Sequence, residues 1–362
     1  MIASDVAEGK KPEGANFFYK EEAYYYLASN AEKRENYKQS IEYLLAGFKE
    51  FPDSYFSSDM LLKVGVLYLT RLSKEPDALD LAAENFEKYI KAFPNTDNTE
   101  MAHYYLGFCY FNGRRFNEAY RTFKDFTDRY PNSEFAPEAY YYYSESNYNL
   151  GNLEDCIKGF DIVINRFPKH ERSVEALYTK AWALLDLGRN DEAINSLRIL
   201  IEKYPESQFA PSSLFSIADY YYNNQQYQEA MDNYQKVLEL YPNSEVASKV
   251  PATLTDLKET VAYLDYEKGW NLFMQGRETE DLNLYRQAAE IFSSVVTQFP
   301  NTESEIGAYS NMGICYEALG EWKKAADAYD QVMKRYEEGA TVGLEAYNFA
   351  RLHKDYIVAN RF

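Results

Sequence analysis

Apolar and polar positions along this chain alternate with helical spacing in blocks that close on one recurring dipeptide, an aromatic followed by proline. The pairs are Phe51-Pro52, Phe93-Pro94, Tyr130-Pro131, Phe167-Pro168, Tyr204-Pro205, Tyr241-Pro242 and Phe299-Pro300, with the prolines 42, 37, 37, 37, 37 and 58 residues apart. Each proline is followed by a polar pair such as "NT", "NS", "KH" or "ES" and then by a periodic apolar segment. One helix stops there and the next is capped, because proline cannot continue a helix and short polar side chains start one. The predicted unit is helix, turn, helix, turn.

Counting from each proline tests the unit. At offset +13 stand Gly65, Gly107, Ser144, Ala181, Ala218 and Gly313; at +25 stand Ala119, Cys156, Ala193, Ala230 and Ala325; at +29 stand Phe123, Phe160, Leu197, Tyr234 and Tyr329. The first two columns are small and the third is large. Small residues let two helices approach and large ones fill the space beside them, so these columns predict the core. The 42-residue unit fits if its inter-helix loop is lengthened near 73–77, with Ala82 and Phe86 in the small and large places. The 58-residue unit fits with extra helical turns before Gly269, at 243–262, and an acidic insertion "RETEDLN" at 277–283, with Ala288 and Phe292 in register. A projecting loop is expected there.

These columns resemble the tetratricopeptide repeat, whose first helix carries an aromatic, Leu-Gly and Tyr, and whose second carries Ala, Phe and Pro. "HYYLGFCY" supplies Leu106, Gly107 and Tyr110, followed by Ala119, Phe123 and Pro131; "YSNMGICY" supplies Tyr309, Met312, Gly313 and Tyr316, followed by Ala325 and Tyr329. The resemblance covers residues 15–337 in about eight repeats. It implies an all-α, right-handed superhelical solenoid that binds a partner in its concave groove. The period of 37 departs from the family's usual 34, with the three extra residues between proline and the next helix. In that long-linker form, "YPNSEFAPEAYYYYSE", "YPNSEVA" and "FPNTESEIGAYSNMG" are similar to repeats of bacterial envelope proteins, the lipoprotein subunit of the outer-membrane barrel assembly machine and the Tol-Pal coordinator among them. This implies the periplasm or the outer-membrane periphery, with the cytoplasm as the alternative. Residues 1–14 read as a flexible segment and 338–362 as a capping helix and tail, with Val342, Ala346, Phe349 and Tyr356 covering the last repeat.

Composition narrows the partners. The 362 residues are 46% hydrophobic, enough for a continuous core, and 36 Tyr and 22 Phe stand against 3 Trp, so the aromatic excess lies in rings that both pack and recognise. The 38 Lys and Arg against 57 Asp and Glu leave a net charge of -19, which repels phosphate backbones and anionic headgroups and argues against nucleic acid. "MIASDVAEGKKPEGAN" has no apolar signal core, and the longest apolar stretches, such as "VGVLYL" at 64–69, fall far below the ~18 residues of a membrane span. The chain as given reads as soluble; if it acts outside the cytoplasm, its signal sequence or lipid-bearing cysteine is expected to have been removed already.

The segment "EAYYYYSESNYNLG" sets four tyrosines, Tyr140 to Tyr143, about 100° apart around one helix. A stacked hairpin array shelters most sides of such a helix. On the repeat's geometry Tyr140 and Tyr143 are expected in the core, Tyr141 in the groove and Tyr142 at its edge. Offset +10 then runs through Tyr25, Tyr104, Tyr141, Tyr178, Phe215 and Tyr266; +14 adds Phe108, Glu145, Trp182, Asp219 and Trp270; +17 adds Phe111, Tyr148, Tyr222 and Phe273. These offsets share one helical face, and an aromatic ladder with acidic rungs is predicted. The alternative is that the rings bridge adjacent repeats and leave little open surface.

Catalytic chemistry is absent from the pattern. His103, His170 and His353 are scattered without metal-ligand spacing, no phosphate-binding glycine motif occurs, and the carboxylates lie mainly on helix surfaces. His103 takes the aromatic place of its repeat and is expected to pack. Cys109, Cys156 and Cys315, an odd number at small or packed offsets, are expected buried and unpaired. The basic clamp of chaperone-tail binders is missing from the groove places. The reading is a non-enzymatic scaffold or adaptor, without cofactor or metal, holding a partner peptide or helix. Glycan binding on the rings and a purely architectural role through ends and insertions are the alternatives.

Overall fold

The computed structural model describes residues 20–339 and 343–361, all of them in helices and turns. The expected flexible residues 1–14 and the expected cap contact of Val342 lie outside the described residues. The helices are α1 Lys20–Lys33, α2 Tyr37–Glu50, α3 Ser57–Thr70, α4 Ala78–Ala92, α5 Thr99–Asn112, α6 Phe116–Arg129, α7 Ala136–Asn149, α8 Leu153–Arg166, α9 Arg172–Asp186, α10 Asn190–Lys203, α11 Ala210–Asn223, α12 Tyr227–Leu240, α13 Val250–Thr279, α14 Leu282–Gln298, α15 Glu303–Ala318, α16 Trp322–Glu337 and α17 Leu344–Arg361. The chain divides into two compact units, residues 1–210 and 211–362. Within each, consecutive helices pack as hairpins and each hairpin packs on the next, the all-α tetratricopeptide-type solenoid.

The period follows from the turns. In the third repeat two 14-residue helices, α5 and α6, are joined by residues 113–115 and followed by residues 130–135 before α7 begins. The short turn needs a left-handed residue, met by Gly151, Gly188 and Gly320 (φ 78°, 72° and 71°) and, at more cost, by Arg114 and Gln225 (φ 59° each). In the long turn the aromatic before proline leaves the helical region, as proline requires of its predecessor: Tyr130 has φ -123°, ψ 53° and Tyr204 φ -134°, ψ 56°. The serine three residues on then donates its N–H to the aromatic's carbonyl, at 3.1 Å for Ser133 and 3.0 Å for Ser207. Its Oγ accepts the N–H of Phe135 or Phe209 at 2.9 and 3.1 Å and so aims the next helix. His170 replaces the serine with the same geometry, its Nδ1 accepting from Arg172 at 3.2 Å.

The small and large columns meet as expected. A Cβ built on Gly107 would lie 2.8 Å from the Phe123 ring, and one on Gly313 would lie 2.5 Å from the Tyr329 ring. Phe86, Phe123, Phe160, Phe292, Tyr234 and Tyr329 are buried, each such ring contributing about 1.5–3 kcal/mol. Cys109, Cys156 and Cys315 are buried and unpaired, and burial pushes each thiol up to about 12. His103 is buried with its ring edge-on to Tyr130 at 5.9 Å, and burial lowers its pKa.

Three local expectations are corrected. Residues 277–283 form no projecting loop: α13 runs to Thr279, Glu280 turns the chain in the left-handed region (φ 54°), and α14 starts at Leu282. The extra length became helix because Arg277 to Thr279 carry no helix breaker and buried Gly276 lets α14 close against it, Leu284 and Tyr285 lying within 3.3 Å of a built Cβ. In α17 the seam on α16 is Ala346, Phe349, Ala350 and Ile357; Tyr356, one residue before Ile357 and so on another side, is 53% exposed. The third concerns the tyrosine run. Tyr142, expected at an edge, is the most buried of the four at 9% exposure, whereas Tyr140 and Tyr143 are only half-buried.

Candidate functional site

Helix α7 lies between α6 and α8, so each of its four rings meets a different neighbour. Tyr142 points back into the preceding repeat, 4.9 Å from Phe111, 5.4 Å from Phe108 and stacked on Phe123 at 5.6 Å. Tyr143 lies 5.5 Å from Tyr120 on α6, and Tyr140 reaches the Phe167 turn at 6.3 Å. Tyr141 packs on Phe160 of α8 at 5.6 Å and is half-buried; burial raises its phenol pKa.

The whole +10 column behaves this way. Tyr104, Phe215 and Tyr266 lie 6.2, 5.3 and 5.6 Å from the large +29 ring of their own repeat. Tyr25, Tyr104 and Tyr178 also meet an aromatic opening the next repeat, Phe56 at 5.4 Å, Phe135 at 4.8 Å and Phe209 at 5.1 Å. These rings join neighbouring repeats, and Tyr104 is buried by them. Phe273 at +17 is buried as well, between Trp270 and Tyr285. Phe108, Phe111, Tyr148, Phe215 and Tyr266 are half-buried. Open rings remain at +14 and +17: Trp182 is 39% exposed, Trp270 38% and Tyr222 41%.

The acidic rungs already have partners. Burial holds the carboxyl of Glu145 above the usual carboxylate range, offset in part by the neighbouring Tyr141 and Thr179 side chains. Asp219 accepts from the hydroxyl of Tyr234 and is raised by burial too. Tyr148 donates to Asp186 at 2.8 Å. Asp219 thereby satisfies the hydroxyl of the buried Tyr234, which would otherwise be left unpaired.

Sequence reasoning missed Arg172. Offset +4 carries Phe56, Phe135 and Phe209, the rings that stack on the preceding repeat, and Arg172 takes that place after Pro168. Its guanidinium stands over Tyr141 at 5.1 Å and Tyr142 at 5.4 Å, donates to the Tyr142 hydroxyl at 3.2 Å and pairs with Glu175, with Glu138 at 3.9 Å. A cation does there what an aromatic does elsewhere. The +4 column, set beside the others, carried the signal.

Helical hairpins at this spacing, with rings left open on one face of the first helices, define a tetratricopeptide-type protein-interaction scaffold. The family YfiO, described as outer membrane lipoprotein, matches residues 110–333, and the chain belongs to it. No curated protein matches the chain in sequence. Among solved structures, the MamA protein is 18% identical with a TM-score of 0.43, over 51% of this chain and 92% of its own. YrrB, titled a TPR protein with an unusual peptide-binding site, is 15% identical with a TM-score of 0.42, over 58% and 96%. A tetratricopeptide repeat protein from Parabacteroides merdae is 15% identical with a TM-score of 0.44, over 83% and 98%. Among the described residues no helix is long and apolar enough to cross a membrane.

Proposed function

We propose that this protein is a non-enzymatic adaptor of the bacterial cell envelope, working at the periplasmic side of the outer membrane, that holds a peptide or helix of a protein partner against its first-helix face. The observation that carries the reading is the exposure of large rings on the first helices of each compact unit, Trp182 at +14 in one and Trp270 at +14 and Tyr222 at +17 in the other, while the rings around them are packed. Large rings left 38–41% open on a face that polar residues could fill are the kind of anchor that dominates protein interfaces. Membership of an outer membrane lipoprotein family supports the envelope setting. Phe108, Tyr148, Phe215 and Tyr266 would complete the contact as half-buried neighbours, and Tyr25, Tyr104, Tyr141, Tyr178 and Phe273 hold them in place from beneath. Asp219 acts through Tyr234, from whose hydroxyl it accepts, and Glu145 stands beside Tyr141.

Photo-crosslinking residues at positions 182, 222 and 270, in cells of the native source, test this. All three should yield the same cross-linked polypeptide, and position 158, exposed on α8, should not. Equal yield from position 158, or none from the three, refutes the reading.

A further inference from the structure

The extra turns of α13 have a use. They extend the helix N-terminal to Gly269 and set Glu259, Tyr263 and Tyr266 opposite the first turns of α15, enclosing with Glu303, Ser304 and Gly307 a cleft of about 540 Å³. Positions 259, 263 and 266 share one face of α13. Gly307 forms the floor: a Cβ there would lie 3.0 Å from the Tyr266 ring, which would have to shift to admit it. Asn311 donates to the Tyr266 hydroxyl at 2.9 Å and fixes the ring's rotation. Tyr263 is 58% exposed at the mouth, an aromatic face without cover.

The charge of the cleft is one-sided. Glu259 accepts the N–H of Glu303 at 3.0 Å, and neither carboxylate is paired with a cation among the described residues. Arg335 lines an adjoining recess together with Glu259 and Glu303, and there it pairs with the buried Glu305 at 2.7 Å. Two carboxylates without a cation partner among the described residues, beside the open ring of Tyr263 and the half-buried Tyr266, match a planar cation: a guanidinium can bond carboxylates and stack on a ring, which an ammonium does less well.

We infer that this cleft receives an arginine side chain of a partner polypeptide. The inference rests on the adaptor reading and specifies the chemistry its partner must carry. A sugar fits less well: carboxylates carry the dominant polar character of the cleft, and the charge of the whole chain, -19, steers cations toward it.

The test is binding of short fluorescent peptides that differ only in a central Arg, Lys, citrulline or Glu, measured by anisotropy at low and high salt. The expected order is Arg tightest, Lys weaker, citrulline and Glu at least about ten-fold weaker than Arg, because charge-assisted contacts are lost. Glu259→Gln with Glu303→Gln should remove the preference for Arg, and Tyr263→Ala, at an exposed ring, should weaken it with the thermal transition unchanged. Equal binding of Arg and citrulline peptides, an unchanged Arg preference in the double variant, or binding of oligosaccharides in place of peptides overturns the inference. If the polypeptide cross-linked from positions 182, 222 and 270 binds the double variant as it binds the native protein, the arginine cleft fails and the adaptor reading stands. If nothing cross-links, the adaptor reading fails while the peptides still report on the cleft.

Discussion

Replacing Arg172 by alanine or by phenylalanine separates two accounts of how the fourth and fifth repeats join. The guanidinium faces Tyr141 and Tyr142 at 5.1 and 5.4 Å, worth about 0.5–1 kcal/mol for each ring at a partly exposed site. Its hydrogen bond to Tyr142 adds about 1 kcal/mol. Its pair with Glu175, both side chains between 21% and 28% exposed, adds no more than about 1 kcal/mol after solvent screening. The sum is near 3 kcal/mol, and the freed carboxylates of Glu138 and Glu175 recover part of it in water, so Arg172→Ala should cost about 2 kcal/mol. Arg172→Phe restores a ring over Tyr141, as Phe135 stands over Tyr104 at 4.8 Å, and should regain about 1 kcal/mol of that loss. Urea unfolding followed by Trp182 fluorescence, with Trp270 and Trp322 changed to Phe, reads the effect from the same helix. If Phe costs as much as Ala, the site needs the charge, and the view that Arg172 stands in for an aromatic is wrong.

Gly313→Ala should cost about 1–3 kcal/mol, since its Cβ would sit 2.5 Å from the fully buried Tyr329 ring, and the loss should appear as a lower urea midpoint of residues 211–362. Glu145 holds its proton more tightly folded than unfolded because burial disfavours its charge, so its contribution is present at acidic pH and is lost as pH rises from the usual glutamate range through the folded value. Glu145→Gln keeps the side chain's shape without its charge, and should raise stability at neutral pH and flatten its pH dependence; an unchanged profile would refute the assignment. The three cysteine thiols, buried and pushed up to about 12, should resist a thiol reagent in the native protein and all react after unfolding; rapid native labelling would contradict their packing.

Much of the fold was legible because its punctuation is chemical. Proline after an aromatic forces a helix to stop, and the facing small and large columns, Gly107 on Phe123 and Gly313 on Tyr329, are a steric requirement that any such hairpin must meet. The rank of the four tyrosines was less legible. Offsets of +10 and +14 share a face by angle, yet Tyr141 is covered by α8 and Arg172 whereas Trp182 is open, because cover depends on how the next repeat enters. That entry is set by the +4 residue across the long turn, a relation between repeats that periodicity within one helix does not carry. The acidic run at 277–283 misled for a related reason: composition suggested a loop, but nothing in Arg277 to Thr279 breaks a helix, and the turn needed only Glu280 and Asp281.

The central claim is that open rings on the first-helix face hold a protein partner. Its most direct test is the affinity of the cross-linked polypeptide, purified, for the native protein and for the triple variant Trp182→Ala, Tyr222→Ala and Trp270→Ala, measured by calorimetry alongside each protein's thermal transition. The account predicts a loss of at least about 100-fold, from anchors worth ~2 kcal/mol each, with the transition nearly unmoved because these rings are the exposed ones. Unchanged affinity, or a loss that appears only together with a collapsed thermal transition, would contradict it.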